Sequence, residues 1–229
     1  MSSFPAFLRE ENAHYWLHNV RLPLACLGAS VPWQTPLPDL AASPWQEELV
    51  AVHIEIRAGR MAAILPSHQT PPAYQPAWDL RQGMVWPCFV DSHTHLDKAH
   101  TWPRTPNPDG TFGAALDCAN RDRRQHWQAT DLLARMNFAL QCSYAHGTQA
   151  IRTHLDSLDG QAAISLPVFH ALQEAWADKI VLQAVCLVGM ELYDSPDAKN
   201  LAELVAHYGG ILGGVIYPQP GLREQIDRA

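Results

Sequence analysis

From Met84 onward the chain alternates short hydrophobic runs with longer amphipathic ones, and this order restricts the fold more than any other feature. Residues 84–93, 148–155, 180–188 and 211–217 have the length and apolar continuity of strands covered on both faces. Residues 131–146 carry Leu132, Leu133, Met136, Leu140 and Tyr144 on one helical stripe, and Gly147 supplies a stop. Residues 167–176 predict a second helix, buried through Val168, Leu172, Ala175 and Trp176. A third begins at Ser195-Pro196, presents Leu201, Leu204, Val205 and Tyr208, and ends at Gly209-Gly210. Strand–helix–strand order implies a parallel sheet with crossover helices. Residues 96–127 predict a long loop with a short helix near 114–124, and residues 221–229 a loop or a helix start.

The part before residue 84 is different. Residues 15–27 are mostly apolar, and residues 50–57 alternate apolar and polar, as a half-buried strand does. Ala58-Gly59 predicts a tight turn into a returning strand at 61–65. Proline-rich stretches at 31–44 and 68–76 predict loops. Two domains follow, 1–83 and 84–229.

Charge and cysteine usage exclude several functions. Acidic residues outnumber basic ones 23 to 16, without a Lys/Arg run, which argues against nucleic acid as a partner. The five cysteines form no C-x-x-C pair, so neither a disulfide framework nor a structural zinc knuckle is expected. The N-terminus lacks the features of a signal peptide, and no run is long enough for a membrane span. A cytoplasmic location is the expectation.

The candidate chemistry lies at the end of the first strand after residue 84, in Pro87-Cys88-Phe89-Val90-Asp91-Ser92-His93-Thr94-His95-Leu96-Asp97-Lys98. His93 and His95 are two apart, so on a strand both imidazoles face one side and can reach one ion. A bare H-x-H also occurs by accident; its place at a strand end before a long loop is where barrel enzymes put their ligands. Asp91 shares the strand face by spacing, as outer support for a ligand or as a plain structural hydrogen-bonding group. Asp97 and His100 suggest the rival H-x-H-x-D-H pattern, but Lys98 stands where its last histidine belongs. His154 and Arg152 end the second strand as pocket lining or as a core pair. The run Arg121-Asp122-Arg123-Arg124 predicts a solvated helix face, with a lid over the site as the alternative. The remaining histidines, His53 among them, have surface roles as their expectation.

Taken together, the first-strand motif resembles the amidohydrolase superfamily, within it the branch of cytosine deaminase and the triazine-ring aminohydrolases. Gly147-Thr148-Gln149-Ala150-Ile151-Arg152-Thr153-His154-Leu155-Asp156 is similar to the second strand of that branch, and Ile180-Val181-Leu182-Gln183-Ala184-Val185 to its third. The run from Glu55 to Ile64 resembles the β domain that precedes the barrel. The resemblance implies an α/β fold: the first half of a TIM-like (β/α)8 barrel after a small β-sandwich portion. It implies one divalent ion, Zn or Fe, with His93 and His95 as ligands, and hydrolysis of C–N bonds of cyclic amidines with release of ammonia or an amine. It implies contact of Phe112 with the substrate ring. At Gly189 the branch carries a glutamine that reads the ring edge; its absence here puts cytosine in question and favours another heterocycle, such as a triazine. No lysine occurs in residues 211–217, against the bridging lysine of binuclear relatives.

A complete barrel takes about 250 residues, more than 84–229 provides. The family's remaining ligands and proton-transfer residues are therefore expected beyond Ala229, and the isolated chain is expected to be inactive. The expected partner is a small nitrogen heterocycle, and a homo-oligomer is compatible with the pattern. A non-catalytic half-barrel that binds another chain is the alternative from outside enzymes.

Overall fold

The computed structural model describes residues 5–9, 13–26, 49–218 and 220–228. The proline-rich stretch expected at 31–44 lies outside them. The chain forms two compact units, Met1–Pro87 and Cys88–Ala229.

Among the described residues the first unit is a four-stranded sheet of β1 (His14–Pro23), β2 (Leu49–Arg57), β3 (Arg60–Pro66) and β4 (Ala77–Met84), in the order β3-β2-β1-β4. β1 runs antiparallel to β2 and parallel to β4. The β2–β3 hairpin turns through Ala58 (φ 46) and Gly59 (φ 70), the paired positive φ that suits a two-residue turn between twisted strands. Val20, Leu22, Val50, Val52, Ile54 and Ile64 form its main core. β2 is not half-exposed as its alternation predicts. His53 and Glu55 are buried on its other side, where Trp16, Ala63 and Leu65 cluster. Glu55 is satisfied there by His14 Nε2 at 2.6 Å and by Arg57, and hydrogen bonding makes such burial tolerable.

The second unit is a parallel sheet in the order β5-β6-β7-β8: β5 (Phe89–Thr94), β6 (Thr148–Asp156), β7 (Val181–Gly189) and β8 (Gly214–Val215). Five helices follow the strands: α1 (Phe112–His126), α2 (Ala129–Ala145), α3 (Ala162–Ala175), α4 (Asp197–His207) and α5 (Leu222–Arg228). The unit is mixed α/β, a parallel half-barrel sheet. Its core joins one face of β6 and β7 (Ile151, Leu155, Leu182, Ala184, Cys186, Val188) to Leu132, Met136 and Leu140 of α2, Leu166 and Phe169 of α3, and Leu201 and Val205 of α4. Each fully buried Leu or Phe contributes roughly 1.5–3 kcal/mol by leaving water.

Several details differ from the sequence reading. The first strand of this unit is short and exposed, because Met84 belongs to β4 and β5 pairs only with β6 among the described strands. β6 and β7 alternate buried and exposed residues along much of their length, because the helices of the core cover one face only. On α2, Leu133 and Tyr144 point outward, and Arg135 and Ala139 complete the buried stripe. α3 starts at Ala162, with Pro167 inside it, and buries Leu166 and Phe169 rather than Ala175. The fourth strand shrinks to two residues plus a bridge from Ile211 to Val185. Its glycines explain the approach: a Cβ on Gly213 would lie 2.5 Å from Val185 Cγ1 and 2.8 Å from the Cys186 carbonyl oxygen. α2 ends as predicted, at Gly147 with φ 86.

The run 121–124 is solvated only in part: Arg121 and Arg124 are exposed, and the two residues between them are not. Asp122 is fully buried and Arg123 nearly so. Asp122 accepts from Arg104 Nε at 2.7 Å, Thr105 Oγ1 at 2.8 Å and Trp127 Nε1 at 2.7 Å. Arg123 donates to the Leu158 carbonyl and to Asp159. Arg104 also binds Asp131 of α2, so two carboxylates tie the loop before α1 to both helices.

Candidate functional site

β5 brings three imidazoles together with its neighbour β6. His93 is in β5 and His95 follows its last residue; His154 is in β6. The ring centroids of His93 and His95 are 5.6 Å apart, those of His95 and His154 5.8 Å, and those of His93 and His154 4.0 Å. Two imidazoles bound to one tetrahedral ion at about 2.0–2.1 Å have centroids about 5 Å apart. The His93/His95 pair fits that spacing.

His95 is already oriented. Its Nδ1 lies 2.9 Å from the carbonyl oxygen of His154. A carbonyl can only accept, so Nδ1 carries the proton and Nε2 keeps its lone pair, the tautomer that a metal ligand needs. Burial first, and Lys98 second, push the His95 pKa below the ordinary imidazole value, which keeps the ring neutral. His154 is shifted the same way, by burial and then by His93.

His154 does not complete a ligand set. Its ring stacks on His93 with 22° between planes, so the two rings lie side by side rather than converging. Among the described residues no group of three or more His, Cys, Asp or Glu side chains is placed to hold a metal ion. Arg152 turns to Gln183, which accepts from it at 2.8 Å, so Arg152 and His154 are not a core pair.

The loop after the pair is fastened from below. The backbone N–H of Leu96 donates to Thr153 Oγ1 at 2.9 Å, and Asp97 Oδ2 accepts from the backbone N–H of Asp156 at 2.7 Å. Asp97 is fully buried, and burial together with Asp156 raises its pKa to about 7. Lys98 pairs with Asp156 at 2.8 Å. Arg135 of α2 donates to the Ala99 carbonyl at 2.9 Å and to that of Asp97. These residues shape the loop; composition alone did not single them out. A buried polar run directly after a strand-end motif was the available signal.

The other expected residues separate. Asp91 makes the structural hydrogen bond that was one of its two expected roles: its Oδ1 accepts from the His93 N–H at 3.2 Å. Phe112 is the first residue of α1 and strongly exposed. Gly189 ends β7, and a Cβ there would fall within the Glu191 carboxylate, so Glu191 occupies the space of a side chain at 189. His100 rests on Phe138, with centroids 4.8 Å apart.

Comparison with known proteins adds three findings. A pterin deaminase from Rhizobium rhizogenes (strain K84) is 47% identical over 186 residues, covering 81% of this chain and 42% of that protein. The 5-methylcytosine deaminase of Klebsiella pneumoniae, liganded with 5-fluorocytosine, superposes with a TM-score of 0.58 at 19% identity, over 93% of this chain and 55% of that one. The N-isopropylammelide isopropylaminohydrolase of Burkholderia multivorans superposes with a TM-score of 0.57 at 17% identity, over 94% and 56%. The chain thus spans less than half of the pterin deaminase and little more than half of the two structures. No protein-family model matches it.

Proposed function

We propose that the chain belongs to the amidohydrolase superfamily and serves a metal-dependent deaminase acting on a cyclic amidine of a nitrogen heterocycle. The observation that carries this reading is the His93/His95 pair, spaced for one ion, in a chain 47% identical to a pterin deaminase. His93 and His95 would hold a zinc or iron(II) ion. Such an ion, when bound, lowers the pKa of a coordinated water so that hydroxide is available near neutral pH.

The chain's own residues do the rest. The His154 carbonyl holds His95 in the ligand tautomer. Thr153 and Asp97 fix the backbone that follows, which sets where both imidazoles point. The exposed ring of Phe112 offers an apolar face to a heterocycle. With glycine at 189 and the Glu191 carboxylate in its place, the end of β7 offers an acceptor instead of an amide. That suits a ring with N–H donors on this side, and the identity to a pterin deaminase supports a pterin among the candidate heterocycles. In the same reading the first unit belongs to a β-sandwich domain, and the second supplies the first β/α units of a TIM-like barrel. The substrate is a small molecule, the setting cytoplasmic, and a homo-oligomer compatible.

Ammonia release from pterin, cytosine and an aminotriazine, by protein loaded with zinc or iron(II), tests the reading. Turnover that His93→Ala abolishes together with the bound metal supports it. Metal content unchanged in both His93→Ala and His95→Ala overturns the ligand assignment.

A further inference from the structure

His93 and His95 are held in different ways. The His95 ring is fixed by its hydrogen bond to the His154 carbonyl. The His93 ring is exposed and has no hydrogen-bond partner among the described residues; the Asp91 bond reaches only its backbone. A ligating histidine ordinarily has its second ring nitrogen anchored, because the anchor sets the plane of the ring. His93 has instead the face of His154, at 4.0 Å and 22°.

Resting on the metal-site reading above, we propose that His154 is a positioning residue for both ligands: its carbonyl orients His95, and its ring, by stacking, sets the plane of His93. His154 is not itself a ligand. Two rings on one ion converge edge-on, whereas the rings of His93 and His154 lie nearly parallel and present their nitrogens side by side. Its own hydrogen bonding is limited to the Thr94 backbone on β5, and its Nδ1 is buried without a partner. What position 154 supplies is a flat face on rigid backbone: β6 is paired on both sides, with β5 and with β7. Stacked aromatic planes about 4–5 Å apart gain from the contact and restrict ring rotation.

The test compares His154→Phe with His154→Ala, neither of which removes the backbone carbonyl that serves His95. The probe is zinc alone, titrated against a competing chelator, with His93→Ala as the reference for loss of a ligand. Phe keeps a face, so its zinc affinity stays within about threefold of wild type. Ala removes the face, and affinity falls about 10–100-fold, the range for losing an outer support of a ligand. Phe as weak as His93→Ala overturns the proposal and makes His154 a ligand. Ala equal to wild type also overturns it.

A second readout needs no metal. The His93 ring protons carry a ring-current shift in wild type and in His154→Phe, and lose it in His154→Ala. Wild-type protein that binds no zinc but shows this pattern keeps the stacking inference and defeats the metal reading. Absence of the pattern defeats the stacking inference itself.

Discussion

The imidazole of His95 donates from Nδ1 to the carbonyl oxygen of His154, 2.9 Å away on the neighbouring strand. A side chain on one strand end is thereby oriented by the backbone of the next. Burial and Lys98 add to the effect by keeping the ring neutral. Long-range 15N–1H correlation spectra should therefore show His95 as the Nδ1–H tautomer, titrating below the usual imidazole range of about 6.5. Folded-state depression means that the unfolded chain binds the proton more readily. The stabilising contribution of His95 is then complete above about pH 6.5 and declines as pH falls through its lowered value. An Nε2–H tautomer would remove the basis for treating His95 as a ready ligand.

Asp122 makes a sharper pH prediction. Burial alone would raise its pKa, but hydrogen bonds from Arg104, Trp127 and Thr105 outweigh burial and bring it down to about 2. Against an unfolded value near 3.8, the shift corresponds to about 2–3 kcal/mol, present above pH 4 and lost as pH falls toward 2. Asp122→Asn should lower stability at pH 7 by that order and flatten the acid limb of the denaturation curve. Urea melts at pH 7, 4 and 2.5 would show it. An unchanged difference between wild type and variant across that range would mean that the carboxylate charge is not what holds the loop.

The same carboxylate shows where sequence reading stops. The helices, the parallel order and the H-x-H pair follow from periodicity and spacing, which are local. The burial of Asp122 and Arg123 depends on Arg104, Trp127 and Asp159, which only the fold brings near. Spacing leaves two roles open for Asp91, because alternation along one strand does not show what its carboxylate meets; the structure gives it the His93 N–H. His154 was legible as a strand-end residue. Its stack on His93 was not, because the pairing of β5 with β6 sets it. The extent of β8 was hidden for a further reason, since its glycines answer to neighbours in β7.

Those glycines separate two kinds of crowding. A Cβ at Gly213 would meet the Cys186 carbonyl at 2.8 Å and Val185 Cγ1 at 2.5 Å, and backbone cannot step aside. A Cβ at Gly189 would meet only the far end of the Glu191 side chain, which can swing into water. Gly213→Ala should therefore cost about 1–3 kcal/mol, as overpacking does, and Gly189→Ala less than about 1 kcal/mol. Thermal melts of the two variants decide. Equal losses would show that Glu191 is held more firmly than an exposed carboxylate should be.

Thr153 supplies the last test, because it sits directly beneath the loop that follows the histidine pair. Its hydroxyl is fully buried and accepts from the Leu96 N–H at 2.9 Å. Valine has nearly the same shape but cannot accept, so Thr153→Val leaves that N–H buried and unsatisfied, at about 1–3 kcal/mol. Serine keeps the oxygen and loses only a methyl group, so Thr153→Ser should cost about 1 kcal/mol. Amide exchange at Leu96 should quicken in the valine variant and stay near wild type in the serine variant. If both variants exchange alike at Leu96, the hydroxyl is not the anchor, and the backbone after His95 is held by Asp97 and Asp156 instead.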